Sequence, residues 1–477
     1  MRAVVLGAGI AGLLAARVLR DHCTEVVVVE RDSLDDGWRR GVPQARHLHG
    51  LLDRGRTVLE ELFPGFTAEA AARGATTAEA LVGTRWYLGG ARMAPTPTGL
   101  TSVMATRPLL EAIVRERVLA LPGVSIQTGS VRGLIGDMHA VRGVRVTADG
   151  SARACGIGAP AAATGDSAAP GNAKSVPVSA ATATAGTAPV TGGTDLSADL
   201  VIDATGRGSR APQYLADLGA PAPAEERLEV DLGYASALFP RTDGQLDNQS
   251  SVIISTGPDG RGGGAIRVQG DRWHITLAGM LGDHPPTDLP GFTAFAATIA
   301  APDIHALITA AAPLGAITPH RFRSPLRRRY ERLRTVPAGF LVIGDALCSF
   351  NPLYAQGMAV AAQQALVLRD ALAAGAGPDL PARFYAGASA VVDVAWRLSA
   401  GSDLANPGVR GQRTARTRLT NAYVARAHRA AHADPVVARA FLRVGNLVDP
   451  PAALLRPALA RRILLPRSAN GTSEPTG

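Results

Sequence analysis

Lysine is almost missing from this chain of 477 residues: Lys174 is the only one among 49 basic side chains, which leaves 48 arginines. The net charge of +9 would suit a nucleic acid, but the arginines are spread along the chain and aromatic residues make up only 4%. Nucleic-acid binding usually needs a clustered basic face and, for single strands, aromatic platforms for the bases. The composition therefore argues against a nucleic-acid partner.

Cysteine and long apolar runs are also scarce. Cys23, Cys155 and Cys348 are odd in number and far apart, which argues against a disulfide framework and against a zinc site, so we expect no metal. No apolar stretch reaches the roughly 18 residues that suggest a membrane span. The first apolar run lacks the basic start and cleavage site of a secretory signal, and we expect a cytoplasmic protein.

The composition that is present is that of a globular enzyme, with 46% hydrophobic and 19% charged residues. The length predicts two or three lobes around a sizeable core. The chain opens with the pattern of a βαβ unit, which usually belongs to a parallel sheet with helices on its faces. The predicted elements of this unit are a strand at 3–6, a glycine turn at 7–12, a helix at 13–20 and a strand at 25–29.

The glycine turn reads Gly7-x-Gly9-x-x-Gly12, and Glu30 follows at the end of the second strand, with Arg31 beside it. Glycines allow a tight turn and close approach of a pyrophosphate, which the N–H groups and dipole of the helix N-terminus attract. An acid at this spacing can accept hydrogen bonds from ribose hydroxyls. The pattern predicts a dinucleotide site without separating NAD from FAD, and a purely structural glycine turn is the alternative.

The rest of the chain predicts an α/β protein, α+β overall. It has a Rossmann-like domain with a parallel sheet, a second lobe of mainly antiparallel sheet plus helices, and a C-terminal helical segment. Residues 151–198 are mostly Ala, Thr, Gly, Ser and Pro, a composition that favours a mobile surface insertion. The predicted strands are 124–128, 141–147, 199–203, 228–238, 252–255, 273–278 and 340–343, and the predicted helical stretches are 107–121, 292–311, 356–374 and 380–466.

Two later segments separate FAD from NAD. One is Asp203-Ala-Thr-Gly206, after a buried strand, and the other is Gly344-Asp345-Ala346 with the loop from Phe350 to Met358. In these segments the chain resembles the FAD-dependent aromatic-hydroxylase-like monooxygenases. The resemblance implies that Asp345 meets the flavin ribityl chain. It also implies that the loop, with Pro352, Gln356, Gly357 and Met358, lies beside the flavin.

The middle segment departs from that family, because this chain has Asp203-Ala-Thr-Gly206 where many members have Ala-Asp-Gly. Asp203 therefore has two interpretations, a cofactor-binding acid or an acid that holds the turn at the end of a strand. No catalytic side chain is assigned, since the flavin itself would carry the chemistry.

A narrower resemblance lies in the segment Gly-Val-Pro-Gln-Ala-Arg-His-Leu-His at 41–49. It is similar to a signature of an actinobacterial branch that includes the epoxidases of polyether antibiotic biosynthesis, themselves distantly similar to squalene epoxidases. The resemblance covers about residues 1–375 and implies that Gln44, Arg46 and Arg107 lie near FAD. For His47 and His49, a structural role is favoured over a catalytic one.

The resemblance implies an FAD-dependent monooxygenase that uses a flavin C4a-hydroperoxide to epoxidise double bonds of a hydrophobic polyene, a polyether polyketide precursor. It also implies O₂ as co-substrate and NAD(P)H as electron donor, directly or through a flavin reductase, since no second glycine fingerprint is visible. The alternatives are hydroxylation of an aromatic or polyketide ring, reduction of isoprenoid double bonds, and a non-enzymatic flavin-binding protein. The Trp-x-Trp-x-Ile-Pro signature of flavin halogenases is missing.

The C-terminal stretch 436–465 mixes apolar residues with arginine. Helices that pack on the flavin lobe are the favoured interpretation, and contact with a membrane or a megasynthase carrier protein is the alternative. The predicted division of the chain is an FAD-binding domain at 1–85, 101–224 and 331–378, a substrate-lobe hairpin at 86–100, a substrate-binding lobe at 225–330 and a C-terminal helical region at 379–477.

Overall fold

The structure, a computed structural model, describes residues 1–34, 43–147, 193–257 and 259–465. In the described residues the α-helices are α1 Ile10–Leu19, α2 Asp53–Leu62, α3 Phe66–Ala72, α4 Arg107–Leu119, α5 Ala211–Asp217, α6 Leu289–Ala296, α7 Asp303–Thr309, α8 Gly357–Ala373, α9 Leu380–Asp403, α10 Ala415–Ala431, α11 Pro435–Gly445 and α12 Pro457–Leu464.

The strands of the same residues are β1 Arg2–Leu6, β2 Glu25–Glu30, β3 Gly50–Leu51, β4 Thr76–Glu79, β5 Thr84–Leu88, β6 Ala91–Arg92, β7 Thr101–Met104, β8 Val124–Thr128, β9 Ser130–Gly136, β10 Val141–Thr147, β11 Gly193–Ser197, β12 Leu200–Asp203, β13 Glu225–Arg227, β14 Leu232–Pro240, β15 Ser251–Ile254, β16 Arg261–Val268, β17 Arg272–Gly279, β18 Thr318–Phe322, β19 Leu326–Arg328, β20 Phe340–Val342 and β21 Cys348–Ser349.

A five-stranded parallel sheet forms the first layer of the molecule, with the strand order β20-β12-β1-β2-β8. Its central strands are continuous runs of buried valine, leucine and isoleucine, as expected for a parallel sheet that is covered on both faces. Helices α1 and α8 pack together in the same core. This sheet confirms the predicted Rossmann-like layer.

A seven-stranded sheet forms the second lobe, with the order β18-β14-β17-β16-β15-β5-β6. All of its pairs are antiparallel except β5 with β15. One face packs on α6 and α7 through Phe239, Trp273, Phe292 and Ile304. The mainly antiparallel second lobe is confirmed, and its other face is free to line a cavity.

The C-terminal helices α10, α11 and α12 share a third apolar cluster with residues 80–100. Leu81, Leu88, Val437 and Ile463 are among the buried members of this cluster. The helical character predicted for 380–466 is confirmed as far as the described residues extend, through α9 to α12. None of the helices in the described part of the chain is long and apolar enough to cross a membrane.

Several boundaries differ from the sequence prediction. Residues 151–192 of the predicted insertion lie outside the described residues, but 193–197 form β11 and pair with β10. That part of the prediction was wrong because low side-chain hydrophobicity does not prevent the pairing of an edge strand. The helical stretch at 292–311 is two short helices, α6 and α7, and the strand predicted from residue 228 begins at Leu232.

Candidate active site

One cavity of about 1580 Å³ lies between the parallel sheet, the seven-stranded sheet and the C-terminal helices. Residues at or just beyond the carboxyl ends of all five parallel strands line it, among them Gly7, Glu30, Ser130, Thr205 and Asp345. This is the edge at which open α/β sheets bind ligands. The volume exceeds that of ordinary ligand pockets, so the cavity has room for a dinucleotide together with a second molecule.

The glycine turn shapes one end of the cavity. Gly7 has a φ of +99°, which disfavours any residue with a side chain. A Cβ there would also lie only 2.8 Å from the carbonyl oxygen of Ala204. A Cβ on Gly12 would overlap the carbonyl oxygen of Gly7, and Gly12 packs there instead of lining the cavity. Helix α1 begins after Gly9, and Gly9, Ile10 and Ala11 line the cavity. The turn therefore points a helix N-terminus into the cavity, as phosphate binding requires.

Glu30 is buried at the end of β2 and lines the same end of the cavity. Its Oε2 accepts a hydrogen bond from the backbone N–H of Ala8 at 2.8 Å, and its Oε1 accepts from Arg31 at 2.9 Å and Asp32 at 3.0 Å. A carboxylate only accepts hydrogen bonds, and these amides hold it in place at the cavity wall. Arg31 also lines the cavity.

Gly344 and Asp345 follow the outer strand β20. Gly344 has a φ of +67°, and its missing Cβ lets α1 approach, because that atom would lie 2.5 Å from the Cβ of Ala11. Its N–H donates to Oε1 of Gln364 at 2.7 Å. Asp345 lines the cavity, where burial raises the pKa of its carboxyl while the charges of Arg107 and Arg207 act in the opposite direction. The turn thus presents one carboxyl group beside two guanidinium groups.

The loop of residues 351–356 is fixed by hydrogen bonds to the buried side chain of Asp403. Asn351 Nδ2 and the Tyr354 hydroxyl both donate to Oδ1 of Asp403, each at 2.8 Å. Burial raises the pKa of Asp403 to about 6. Pro352 and Gln356 of this loop, with Gly357 and Met358 at the start of α8, were predicted to lie beside a flavin, and all four line the cavity.

Two predicted residues lie elsewhere. The Asp203 carboxylate accepts from the Thr205 N–H at 2.8 Å, from the Thr205 hydroxyl at 2.6 Å and from the Ser209 hydroxyl at 2.8 Å. It holds the turn that places Gly206 at the cavity wall and is not itself among the lining residues. The Arg46 side chain is exposed and also absent from the lining. Gln44 and Arg107 do line the cavity.

The sequence did not reveal a polar patch on the cavity face of the seven-stranded sheet. His47 is buried against Ser236, with Nδ1 at 2.7 Å from its hydroxyl oxygen. The His47 ring centroid lies 5.8 Å from that of Tyr234 and 5.2 Å from that of His320. The alternation of Leu232, Tyr234 and Ser236 along β14 is the one signal that could have placed these side chains on a common face.

The fold is shared with several solved structures of flavin enzymes. The flavin-dependent brominase Bmp2 matches with a TM-score of 0.62 at 15% identity, over 97% of this chain and 98% of Bmp2. PqsL of P. aeruginosa, in complex with 2-aminobenzoylacetate, matches at 0.58 with 16% identity, over 84% and 96%. 2-Methyl-3-hydroxypyridine-5-carboxylic acid oxygenase matches at 0.56 with 18% identity, over 84% and 89%. The chain thus has the fold of the FAD-dependent monooxygenases.

A relative in Mycobacterium tuberculosis (strain ATCC 25618 / H37Rv), Protein Rv3254, is 32% identical over 464 residues, which cover 94% of this chain and 90% of that protein. The chain belongs to the family of Protein Rv3254. No family model matches the sequence.

Proposed function

We propose that the protein is an FAD-dependent monooxygenase that transfers one oxygen atom of O₂ to a hydrophobic small molecule. The observation that supports the proposal is that one cavity joins the glycine turn and Glu30, the dinucleotide cradle, to the face of a second sheet. A cradle alone would suit any dinucleotide enzyme, whereas a flavin enzyme must bring the cofactor's ring and its substrate into one space.

The residues present fit FAD. Gly7, Gly9 and the start of α1 would hold the pyrophosphate, and Glu30 would accept from the adenosine ribose. Asp345 would meet the ribityl chain, and the backbone N–H groups at the start of α8 would face the flavin ring. When bound and reduced, FAD supplies the activation of O₂ for oxygen transfer.

The protein's own part is to orient the substrate and exclude water. Apolar side chains of the seven-stranded sheet and the C-terminal helices line the cavity, among them Ile253, Ile266, Met280, Leu398 and Phe441. These walls suit a long hydrophobic substrate, and we propose epoxidation of a carbon–carbon double bond in a polyene such as a polyether polyketide precursor. An alkene attacks an electrophilic oxygen without prior deprotonation, so no protein base is needed at that step.

Hydroxylation of an aromatic or polyketide ring is the second candidate. The observation in its favour is the polar patch at His47 and Tyr234, which faces the cavity and which a pure hydrocarbon would leave without hydrogen bonds. NAD(P)H, directly or through a flavin reductase, is the proposed electron donor for either reaction. A carrier protein that presents the substrate is compatible with both.

The test is reconstitution with FAD, a flavin reductase, NADPH and ¹⁸O₂, with a linear polyene and a naphthol as substrates. We expect one labelled oxygen atom in the product, and NMR separates an oxirane from a ring hydroxyl. Substrate reduction without label would identify a reductase and overturn the proposal, and failure of the chain to bind FAD would do the same.

A further inference from the structure

We propose that His47 and Tyr234 form a subsite that binds an uncharged oxygen-bearing group of the substrate, such as a hydroxyl or ketone, with His47 Nε2 as hydrogen-bond donor. This inference rests on the proposed function and specifies the substrate class. It concerns a part of the cavity wall where strands β14, β17 and β18 present rings and hydroxyls instead of aliphatic side chains.

Neighbouring strands bring the subsite together. Tyr234 on β14 is paired with His320 on β18, and Ser236 on β14 is paired with Thr276 on β17. Residues two apart on a strand share a face, so Tyr234 and Ser236 point to the same side. The Tyr234 and His320 rings lie parallel, with centroids 6.3 Å apart and an interplanar angle of 6°. The sheet therefore fixes the ring positions before any ligand arrives.

A chain of hydrogen bonds favours one tautomer of His47. The Leu48 N–H donates to Thr276 Oγ1 at 3.0 Å, and Thr276 Oγ1 lies 2.6 Å from Ser236 Oγ. If Thr276 donates to Ser236 and Ser236 donates to Nδ1 of His47, both hydroxyl protons have an acceptor and only the proton on Nε2 is left unpaired. The reverse direction would leave the Thr276 hydroxyl proton without an acceptor in the chain. The favoured direction makes Nδ1 an acceptor and places the ring proton on Nε2.

Two polar atoms of the subsite are left for a ligand. His47 Nε2 and the Tyr234 hydroxyl are both buried, and neither has a hydrogen-bond partner among the residues that the structure describes. Both side chains line the cavity. A buried polar atom without a partner is costly, so a ligand that supplies an oxygen atom at this place gains affinity and one that lacks it does not.

The ring of His47 stays neutral in this environment, which determines the charge of the group that it selects. Burial lowers the pKa of His47 to about 3, with further contributions from His320, His49, His274 and Arg46. Burial and the nearby Asp403 carboxylate raise the pKa of the Tyr234 hydroxyl. Two neutral donors in an apolar wall suit a neutral oxygen, because a carboxylate there would lose its hydration without gaining a cation.

The test compares two probes of equal size, 1-naphthol and 1-methylnaphthalene, by equilibrium dialysis against the FAD-loaded protein. We expect His47→Leu and Tyr234→Phe each to weaken 1-naphthol binding about 3- to 10-fold, with 1-methylnaphthalene binding unchanged. His47→Gln retains a donor near the Nε2 position and should restore most of the affinity for 1-naphthol. Tyr87→Phe is the matched control, because Tyr87 packs against the opposite face of the same sheet.

Equal losses for both probes would show a general packing role and overturn the subsite. A fall in FAD affinity without a change in probe binding would assign His47 to the cofactor and also overturn it. If the wild-type protein binds FAD but not 1-naphthol, the subsite is wrong while the proposed cofactor stands. If FAD itself does not bind, the proposed function fails first.

Discussion

Gly12 shows how the absence of one methyl group shapes the cofactor cradle. It lies in the first turn of α1, beneath Gly7, where any Cβ would meet the backbone carbonyl of Gly7. A backbone oxygen cannot move aside as the end of a flexible side chain can. The glycine is therefore required by packing before any ligand is considered.

We expect Gly12→Ala to lower the free energy of unfolding by about 3 kcal/mol, at the upper end of the cost of overpacking, and to weaken FAD binding. Urea unfolding and flavin absorbance measure the two effects. Gly133→Ala in β9, where no neighbouring atom lies within 4 Å of the added Cβ, is the control and should change stability by less than about 1 kcal/mol. Equal stability of the two variants would contradict this account of the turn.

Asp345 carries the second prediction at this scale. Asp345→Ala removes the carboxyl group proposed to bind the ribityl hydroxyls, and loss of a hydrogen bond to a charged group corresponds to roughly 10- to 100-fold weaker FAD binding. Asp345→Asn should fall between Asp345→Ala and the wild type. The exposed Asp370 on α8 supplies the control, Asp370→Ala. The same flavin occupancy in Asp345→Ala as in the wild type at sub-saturating FAD would refute the placement.

Single residues were predictable where the chemistry is local in sequence. The glycine turn and Glu30 lie within 24 residues of each other, and both line one end of the cavity. Their role in binding a cofactor stays a prediction. The environment of Asp203 depended on Thr205 and Ser209 and had to be seen in space. The environment of His47 was harder still to predict from the sequence, because its partner Ser236 lies 189 residues away.

At the scale of elements, the loop at 351–356 also depends on a residue that is distant in sequence, on helix α9. The helix supplies Asp403, whose Oδ1 accepts from both Asn351 and Tyr354. Because burial raises the pKa of this carboxyl from 3.8 to about 6, the folded protein binds its proton more tightly than the unfolded chain does. Asp403 therefore makes stability fall as the pH rises from about 4 to about 6, and the loss is complete above that window.

Asp403→Asn keeps an oxygen acceptor for both donors and removes the charge. We expect the variant and the wild type to have similar stability near pH 4, and the variant to be more stable at pH 7 by up to about 3 kcal/mol. Thermal unfolding across this pH range measures the difference, with Asp370→Asn as control. A difference that does not vary with pH would show that the carboxyl is ionised throughout.

Helix α12 allows a comparison between adjacent positions. Ile463 is 1% exposed in the cluster shared with residues 80–100, whereas Leu464 is 52% exposed. Ile463→Ala should cost about 2–5 kcal/mol of stability, and Leu464→Ala less than about 0.5 kcal/mol. Denaturant unfolding measures the loss of stability in each variant. Similar losses at both positions would mean that α12 does not pack on this cluster.

Most helices and strands with a clear periodic pattern of hydrophobic residues were predicted from the sequence. The elements that were missed lack such a pattern. The bounds of β8 and β10 match the predicted strands, because both are short runs with β-branched residues. Strand β16 was missed since it contains Gly262, Gly263 and Gly264, which carry no pattern of hydrophobicity. It pairs with β15 on one side and with β17 on the other.

Two sheets and the C-terminal helices enclose the cavity. A ligand that binds only the folded protein should therefore raise the free energy of unfolding. If FAD spans from Glu30 to the loop before α8, FAD at 100 times its Kd adds about 2.7 kcal/mol to the free energy of unfolding. FMN lacks the adenosine half that the glycine turn would bind, and it should raise Tm less at the same concentration. Equal shifts in Tm for FMN and FAD would place the cofactor outside the cradle.

The long-range pairings of the molecule lay beyond sequence reasoning. Strand β5 joins β15 in parallel, although the two lie more than 160 residues apart, and residues 80–100 pack against the last helices. The periodic pattern of hydrophobic residues determines which face of a helix or strand is apolar. It does not determine which other element packs against that face, because many apolar surfaces could do so. The division into domains predicted from the sequence stays a prediction.

The placement of β20 at the edge of the first sheet has a consequence for biosynthesis. Gly7 leaves the ribosome early, but β20 and the Gly344–Asp345 turn that complete the same sheet are translated more than 330 residues later. At roughly 5–20 residues per second, about 20–70 s separate the two events. Strand β12 ends at Asp203, 137 residues before β20 begins at Phe340, so one side of β12 stays unpaired for about 7–27 s of that interval. The Gly344–Asp345 turn therefore completes its edge of the cavity after the other four strands of the sheet have been translated.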